Sequence, residues 1–419
     1  MKITVRNDYL IFPVYTRATE KTLTFSQKGN KIFALDIKLD NVSPDFYAYI
    51  DVSLFKGESL EVAVVPEMPI CFEESDEMRI ENLYWESVRP QVHFTVKNGW
   101  MGAPEALLRK DGKYVLLYPY HPADTSSGSA HTGCAVSSDL LHWTELASPI
   151  LPENDEAVSR GQARAVLENV RRLHALAERK DVVSLVDREG ERKWVSFRED
   201  GRYLVGDVQG GVFAACQAEK TLCYGASVCS GVSFADPESG KVFHMAWDSC
   251  RTARFGGQMS VPMELSLEKD ADSYALTVAP TEALETLYKN TNRYEKLALG
   301  TKTIPLADTA HLIRLQGALP KDGALTVSLF GRKWRVDFSE NRICIGDSEC
   351  PISVTGGALD LTVVADRLGL EIFADGGRIY TSCLGEDTFM DRNLLFMTLS
   401  CDVPYCADLL EIHSLESVW

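Results

Sequence analysis

Residues 99–122 read GWMGAPEALLRKDGKYVLLYPYHP, and they contain the local pattern on which the fold depends. Residues 113–118 follow the period of two that is typical of a half-buried β-strand. The preceding Lys110, Asp111 and Gly112 form a turn signal, because Asp and Gly tolerate the backbone angles of tight turns. The stretch therefore predicts a strand that is entered through a tight turn.

The same pattern recurs in other parts of the chain. Period-two segments are found at residues 31–39, 60–65 and 359–364, and turn signals at residues 199–201, 209–211 and 375–377. Many short strands separated by short turns are typical of β-sandwiches and β-propellers. The sequence therefore predicts a mainly β protein.

One segment departs from this pattern. Residues 162–180 place apolar side chains at three- and four-residue steps, which is the spacing of an amphipathic helix. These side chains are Val166, Leu167, Val170, Leu173 and Leu176. We expect a helix here, and the alternative is two strands at residues 164–168 and 172–178.

The length of 419 residues favours two or three domains. We expect an N-terminal β domain at residues 1–85, a region of Trp- and Tyr-rich hairpins at 86–264 and a second β domain at 265–419. No Gly/Ser-rich or Pro-rich linker separates these regions, so we expect packed interfaces between them.

The net charge of −17 and the pI near 5.0 argue against nucleic acid and anionic membranes as partners. Both suit neutral ligands such as sugars. The first eight residues carry charges where a signal peptide needs an apolar run. The 11 cysteines are an odd number and form no C-x-x-C pair, so we expect reduced thiols, a cytoplasmic location and neither a metal nor a cofactor.

Eight segments resemble glycoside hydrolase family 32, the levanase and invertase type. In chain order they are residues 9–14 (YLIFPV), 89–95 (RPQVHFT), 98–101 (NGWM), 111–122 (DGKYVLLYPYHP), 133–143 (GCAVSSDLLHW), 202–211 (RYLVGDVQGG), 257–265 (GQMSVPMEL) and 370–378 (LEIFADGGR). The resemblance implies a five-bladed-type β-propeller followed by a C-terminal β-sandwich, with the extra N-terminal β domain of some levanase-like members.

The main departure from the family lies at the nucleophile. The family has a Trp-Met-Asn-Asp-Pro-Asn-Gly loop, and residues 100–106 of this chain read WMGAPEA. Ala103 stands where the resemblance places the nucleophilic aspartate, and its methyl group has no oxygen with which to attack a sugar. Retaining glycosidases need a pair of carboxyl groups about 5 Å apart. The resemblance therefore implies a degenerate member of the family.

Other expected sugar-facing positions have also changed, whereas positions expected to hold the fold remain. The changed positions are Gly102, Glu105, Pro119, Thr132, Cys134 and Met263. The kept positions are Arg89, Pro90, Phe94, Trp100, Pro104, Tyr118, Ser137, Asp139 and Trp143. This contrast indicates that the pocket has lost its chemistry while the scaffold is retained.

Four carboxylates could substitute for the missing machinery. They are Glu105, Glu178, Asp181 and Asp200. Glu178 and Asp181 keep the spacing of the family's acid/base segment, but we favour the interpretation of residues 181–197 as an ordinary hairpin. Asp200 lies in a turn signal, which favours a solvated position.

The length of the middle region predicts a truncated propeller. A four-stranded blade takes roughly 40–45 residues, so residues 89–264 hold about four blades at most. We expect exposed blade edges that the 162–180 segment or a second copy of the chain would cover.

Our leading hypothesis is a catalytically silent family relative that binds a fructan-type carbohydrate or serves as a scaffold. The candidate sugar-binding residues are Trp100, Tyr118, Tyr120, His121 and Trp247. For His121, as for His93, His131 and His142, a structural role is the safer interpretation. The alternatives are a β-fructosidase or other glycosidase with reassigned carboxylates, and an assembly subunit that pairs through its propeller edges.

Overall fold

The computed structural model describes residues 1–79, 86–148, 150, 182–198, 200–225, 228–346, 348–352, 357–384 and 394–419. Strands dominate these parts of the chain, which confirms the mainly β fold. The 162–180 segment, for which we predict a helix, lies outside the described residues. No helix in the described parts is long and apolar enough to cross a membrane.

The N-terminal region is a two-sheet β-sandwich. One sheet has the order β1-β6-β3-β4 and the other the order β5-β2-β7. Phe12 and Phe25 meet between the two sheets, with ring centroids 6.4 Å apart. The strands are β1 (Lys2–Thr4), β2 (Tyr9–Val14), β3 (Lys21–Gln27), β4 (Asn30–Ile37), β5 (Phe46–Asp51), β6 (Ser59–Val65) and β7 (Glu73–Ser75).

The middle region contains blade-like groups of antiparallel strands. The first group comprises β8 (Gly99–Met101), β9 (Ala106–Lys110), β10 (Lys113–His121), β11 (His131–Ser137) and β12 (Trp143–Glu145). The second comprises β13 (Val182–Val186), β14 (Arg192–Phe197), β15 (Arg202–Gln209), β16 (Val212–Ala215) and β17 (Lys220–Thr221). A short β18 (Cys223–Tyr224) precedes the third group, which comprises β19 (Val228–Ala235), β20 (Val242–Arg251) and β21 (Phe255–Met259). The β13–β14 pair confirms the predicted hairpin.

The first and third groups are joined through their innermost strands. β8 and β21 pair in parallel, with Gly99 opposite Phe255 and Trp100 opposite Gly256. β20 also pairs with β22, so one sheet continues from the blades into the C-terminal region. The predicted domain limits at residues 85 and 264 stay predictions.

The C-terminal region is built on a sheet that curls into a β-sandwich. Its last strand, β33, pairs with β24, β25 and β26 and so connects both halves. Residues 370–378, predicted as a hallmark strand and turn, form β31 and a 3-10 turn. The strands are β22 (Met263–Asp270), β23 (Ser273–Pro280), β24 (Tyr288–Pro305), β25 (His311–Ala318), β26 (Ala324–Leu329), β27 (Arg332–Asp337), β28 (Arg342–Ile345), β29 (Ser348–Pro351), β30 (Ala358–Ala365), β31 (Gly369–Ala374), β32 (Ile379–Leu384) and β33 (Phe396–Leu415). The 3-10 turns are Ser53–Phe55, Glu282–Leu287 and Asp375–Gly377.

A buried ion pair fastens the entry to the first blade onto the C-terminal region. Asp366, in the loop between β30 and β31, accepts hydrogen bonds from the backbone N–H groups of Gln91 and Val92, both at 2.8 Å. It also bonds His93 Nδ1 at 2.9 Å. Burial alone would lower the pKa of His93, but its bonds to Asp366 and Glu371 raise that pKa to about 10. The pair is therefore ionic at neutral pH.

The Asp366→Asn substitution tests this connection. It leaves the buried His93 cation with Glu371, 3.6 Å from Nε2, as its remaining acidic neighbour, and breaking a buried pair costs about 3–5 kcal/mol. We expect the free energy of unfolding in urea to fall by about that amount. Asp360→Asn on β30, the strand that precedes Asp366, is the control, and its expected effect is within about 0.5 kcal/mol. Equal losses in the two variants would contradict the assignment.

Candidate functional site

Ala103 lies in a bulge immediately after β8. Met101 is opposite Tyr120 and Ala106 is opposite Leu117. The chain therefore advances five residues from Met101 to Ala106 while β10 advances only three, and the two extra residues form the bulge. Backbone bonds hold both sides of the bulge, from Gly102 N–H to the Pro119 carbonyl and from Glu105 N–H to the Leu117 carbonyl, each 2.8 Å. The Ala103 side chain is half-buried and contributes no polar atom.

Two predicted sugar-binding aromatic side chains meet beside this bulge. The rings of Trp100 and Trp247 pack edge to face, with centroids 6.2 Å apart and planes at 82°. The Trp247 indole N–H donates to the Met101 carbonyl at 2.9 Å, which fixes its ring against the end of β8. Both side chains are half-buried and retain exposed surface. They form the aromatic face of the site.

Glycines make this packing sterically feasible. A Cβ atom on Gly102 would lie 2.7 Å from Trp100 Cη2 and 3.0 Å from Pro119 Cγ. At Gly257, whose φ is +79°, a Cβ would lie 2.2 Å from the Met101 carbonyl oxygen and 2.7 Å from Trp247 Nε1. The glycine at 102, where the family pattern has Asn, therefore accommodates the position of the Trp100 ring.

The other predicted sugar-binding residues are not exposed on this aromatic face. Tyr118 and Tyr120 alternate with Pro119 along β10, so they point to the opposite side of the sheet. Tyr118 is 2% exposed and packs on Phe94, with centroids 5.9 Å apart. His121 is opposite Trp100 but is 1% exposed, and burial lowers its pKa to about 4. The structure brings together only Trp100 and Trp247.

The carboxylate candidates are dispersed. Glu105 is exposed at the end of the bulge. Asp200 lies in the β14–β15 turn of a different sheet and accepts a 2.7 Å hydrogen bond from Arg202 Nε. Glu178 and Asp181 lie outside the described residues. Among the described candidates, Glu105 alone is beside Ala103, and no group of described residues offers three metal-ligating side chains.

A buried polar cluster, which we did not predict from the sequence, lies behind Trp247. Its cavity of about 10 Å³ is lined by His93, Trp247, Asp248, Gln258, Glu371, Tyr380 and five further residues. Tyr380 donates to Glu371 at 2.7 Å, and Ser382 donates to Asp248 at 3.1 Å. A single acidic residue inside an apolar strand, such as Glu371 in LEIF, is the signal that could have revealed it. Sequence separation concealed the partners.

The cluster is too small to hold a sugar. A cavity of this size has room for about one water. Burial raises the pKa of Asp248 to about 7. The hydrogen bond from Ser382 lowers this pKa, whereas the negative charge of Glu371 raises it further. Asp248 Oδ1 and Gln258 Oε1 are buried acceptors with no hydrogen-bond partner in the described residues. Protonation of Asp248 would supply a missing donor, and the small volume excludes a sugar substrate.

The Asp248→Asn substitution tests this protonation. Because the folded pKa of Asp248 is raised, wild-type stability is greatest below its unfolded pKa and falls as the pH rises toward about 7. Asn cannot ionise, so the stability of the variant relative to wild type should rise by on the order of 2 kcal/mol from about pH 5 to about pH 8. Denaturant unfolding measures this change, with Asp111→Asn in an exposed turn as control. Parallel pH profiles for wild type and Asp248→Asn would refute it.

Comparison with known proteins identifies the blades. Residues 93–170 match the model of the glycosyl hydrolases family 32 N-terminal domain. Levanase from Bacillus subtilis is 32% identical over 108 residues, which are 26% of this chain and 16% of the levanase. The aligned part thus spans less than one fifth of that relative's length.

The fold matches solved structures over most of the chain. Exo-inulinase from Aspergillus awamori aligns with a TM-score of 0.65 and 14% identity, covering 82% of this chain and 100% of that one. An Asp-to-Ala variant of a Bombyx mori family 32 β-fructofuranosidase, solved in complex with sucrose, aligns with a TM-score of 0.60 and 15% identity, covering 79% and 95%. At these identities the likeness establishes the fold, a propeller joined to a β-sandwich. Residues 93–170 are thus similar to the family 32 N-terminal domain, and the chain has the fold of these family 32 structures.

Proposed function

We propose that this chain binds fructosyl sugars at the Ala103 bulge without hydrolysing them. The observation that carries the proposal is the aromatic face of Trp100 and Trp247 beside a nucleophile position occupied by a methyl group. Sugar sites are concave and rich in aromatic side chains, with a few polar groups that fix orientation. The binding surface is kept here while the attacking oxygen is lost.

Loss of the carboxylate and retention of binding are compatible. The Bombyx mori neighbour was solved as an Asp-to-Ala variant with sucrose bound, so replacing an Asp by Ala leaves that protein able to hold the sugar. Arg251, the exposed last residue of β20, lies with its Nε 3.4 Å from the buried Thr125 hydroxyl and supplies a polar group near the aromatic face. Neutral sugars also suit the acidic chain.

A second candidate is a β-fructosidase that uses reassigned carboxylates. Glu105 favours it, since it is an exposed carboxylate two residues after Ala103. A retaining mechanism needs a second carboxyl group about 5 Å away, and we place no described candidate there. We therefore rank this enzyme second.

An assembly subunit is the third candidate. Val212 is 69% exposed on β16, which pairs with β15 alone among the described strands. Such an edge could pair with a second copy. Homo-oligomers through blade edges and a cytoplasmic location both remain proposals.

Calorimetric titration with fructose, sucrose and 1-kestose tests the leading proposal. We expect the wild type to bind at least one of them, and Trp100→Ala to weaken binding at least about tenfold, or about 1.4 kcal/mol. Tyr47→Ala, which removes an exposed aromatic ring from the N-terminal sandwich, should leave the affinity unchanged. Reducing-sugar assays of the wild type and of Ala103→Asp should show no release, because one restored carboxylate is half of the pair.

The assay separates the three candidates. Hydrolysis by the wild type that disappears in Glu105→Gln would establish the enzyme. Neither binding nor hydrolysis, together with a concentration-dependent dimer in sedimentation, would favour the assembly subunit.

A further inference from the structure

A second cavity lies between the N-terminal sandwich and the first blade. Its volume is about 60 Å³, and its lining comes from both sides of this junction. The residues that determine its chemistry are Tyr9, Tyr49 and Asp51 from the sandwich and Tyr118, Tyr120 and Glu145 from the blade. This cavity is on the face of β10 opposite to Trp100, so it is separate from the Ala103 bulge.

The walls of the cavity are aromatic. Tyr9 and Tyr49 pack edge to face, with centroids 6.2 Å apart and planes at 83°. Tyr118 and Tyr120 project from alternate positions of β10 and so share one face. The Tyr120 hydroxyl donates to the Asn98 carbonyl at 3.1 Å, which fixes that ring. Four phenol rings around one space can present negative π faces to a cation.

Two carboxylates in this lining have no ionic partner among the described residues. Asp51 is 6% exposed, and one of its oxygens accepts a 3.0 Å bond from Ser53 N–H. Glu145 accepts a 2.7 Å bond from the backbone N–H of Lys97 rather than from its ammonium group. No described Lys or Arg nitrogen lies within 4.0 Å of either carboxylate. A buried carboxylate without a countercharge is unfavourable, and a bound cation would relieve it.

The ionisation of these carboxylates responds to their surroundings. Burial raises the pKa of Glu145 to about 7, and the positive charges of Lys97 and Arg89 only partly oppose this. Burial also raises the pKa of Asp51. Its hydrogen bonds from Ser53 lower this pKa, and the negative charge of Asp8 raises it. The other titratable groups that line the space are Lys97, the phenols of Tyr9, Tyr49, Tyr118 and Tyr120, and His131. Lys97 brings a positive charge to the lining but forms no described ion pair with either carboxylate, and burial lowers the pKa of His131 to about 4, so the imidazole is neutral.

His131 adds a directional acceptor to the same cavity. Its Nε2 lies 3.2 Å from the Ser148 carbonyl, so the neutral ring must carry its proton there and donate it. Nδ1 is then an acceptor, and it is buried without a hydrogen-bond partner among the described residues. A ligand with an N–H donor would satisfy it.

We propose that this cavity binds a small organic ammonium ion. The Glu145 and Asp51 carboxylates neutralise its charge, the tyrosine rings contact it through their faces, and His131 Nδ1 accepts one of its N–H bonds. A neutral polyol would leave the two carboxylates without an ion-pair partner, so the charge is the feature that the site selects.

Titration calorimetry with propylammonium and its neutral analogue propan-1-ol tests the proposal at about pH 8, where Glu145 is ionised. We expect propylammonium to bind and propan-1-ol not to bind. Binding should weaken severalfold or more at about pH 5, because Glu145 takes up a proton as the pH falls below its pKa. Glu145→Gln should weaken propylammonium binding at least about tenfold, whereas the exposed Glu61→Gln should not change it.

Several outcomes would overturn the proposal. They are equal binding of propan-1-ol, an affinity that does not change with pH, or no heat of binding for propylammonium at millimolar concentration. The pH series uses the wild type alone, so it decides the question even if Glu145→Gln fails to fold. Saturating fructose should leave propylammonium binding unchanged, which keeps this site distinct from the proposed sugar site.

Discussion

The parallel pairing of β8 with β21 is the contact on which the arrangement of the site depends. It places Trp100 opposite Gly256, where a Cβ atom would lie 2.0 Å from the Thr125 carbonyl oxygen, so the close approach requires glycine. The same pairing brings Trp247, on β20, against the Met101 carbonyl. First and last blade groups thereby share one sheet, and the Ala103 bulge is presented at its end. A substitution that separates these strands would remove the aromatic face together with the junction.

Behind this sheet, buried polar and charged contacts, in addition to apolar packing, attach the C-terminal region to the segment that leads into the first blade. Asp366 holds two backbone N–H groups and the protonated His93, and the Trp419 indole donates to the Pro90 carbonyl at 2.7 Å. Such pairs are strongly destabilising to break, because each leaves a charge without compensation. Asp248 differs in that burial outweighs the opposing charge of His93, so its pKa is raised to about 7 and protonation stabilises it. The two acidic residues therefore make opposite contributions to the pH dependence of stability.

The local sequence pattern was sufficient to predict individual strands, but it was not sufficient to predict which distant strands pair with each other. Period two and the Asp111-Gly112 turn predicted β10, and the same reasoning predicted the hairpin that precedes Phe197. The pairing of Gly99 with Phe255 spans most of the propeller region, and no local signal encodes it. Alternation along β10 could have separated Tyr118 and Tyr120 from the Trp100 side, but we grouped them with Trp100 because their aromatic rings could stack on a sugar. The buried environment of Asp248 and Glu371 is formed by neighbours that lie far apart in the chain, so it emerges only from the fold.

The central claim is that this scaffold, which has the fold of family 32 structures, binds sugar beside Ala103, the residue at the position that the resemblance assigns to the nucleophile. A crystal structure determined after soaking with 1-kestose tests this most directly. The account predicts an intact trisaccharide in contact with Trp100 and Trp247 beside Ala103. Fructose and sucrose as cleaved products at that position, or a trisaccharide bound only elsewhere on the molecule, would contradict it.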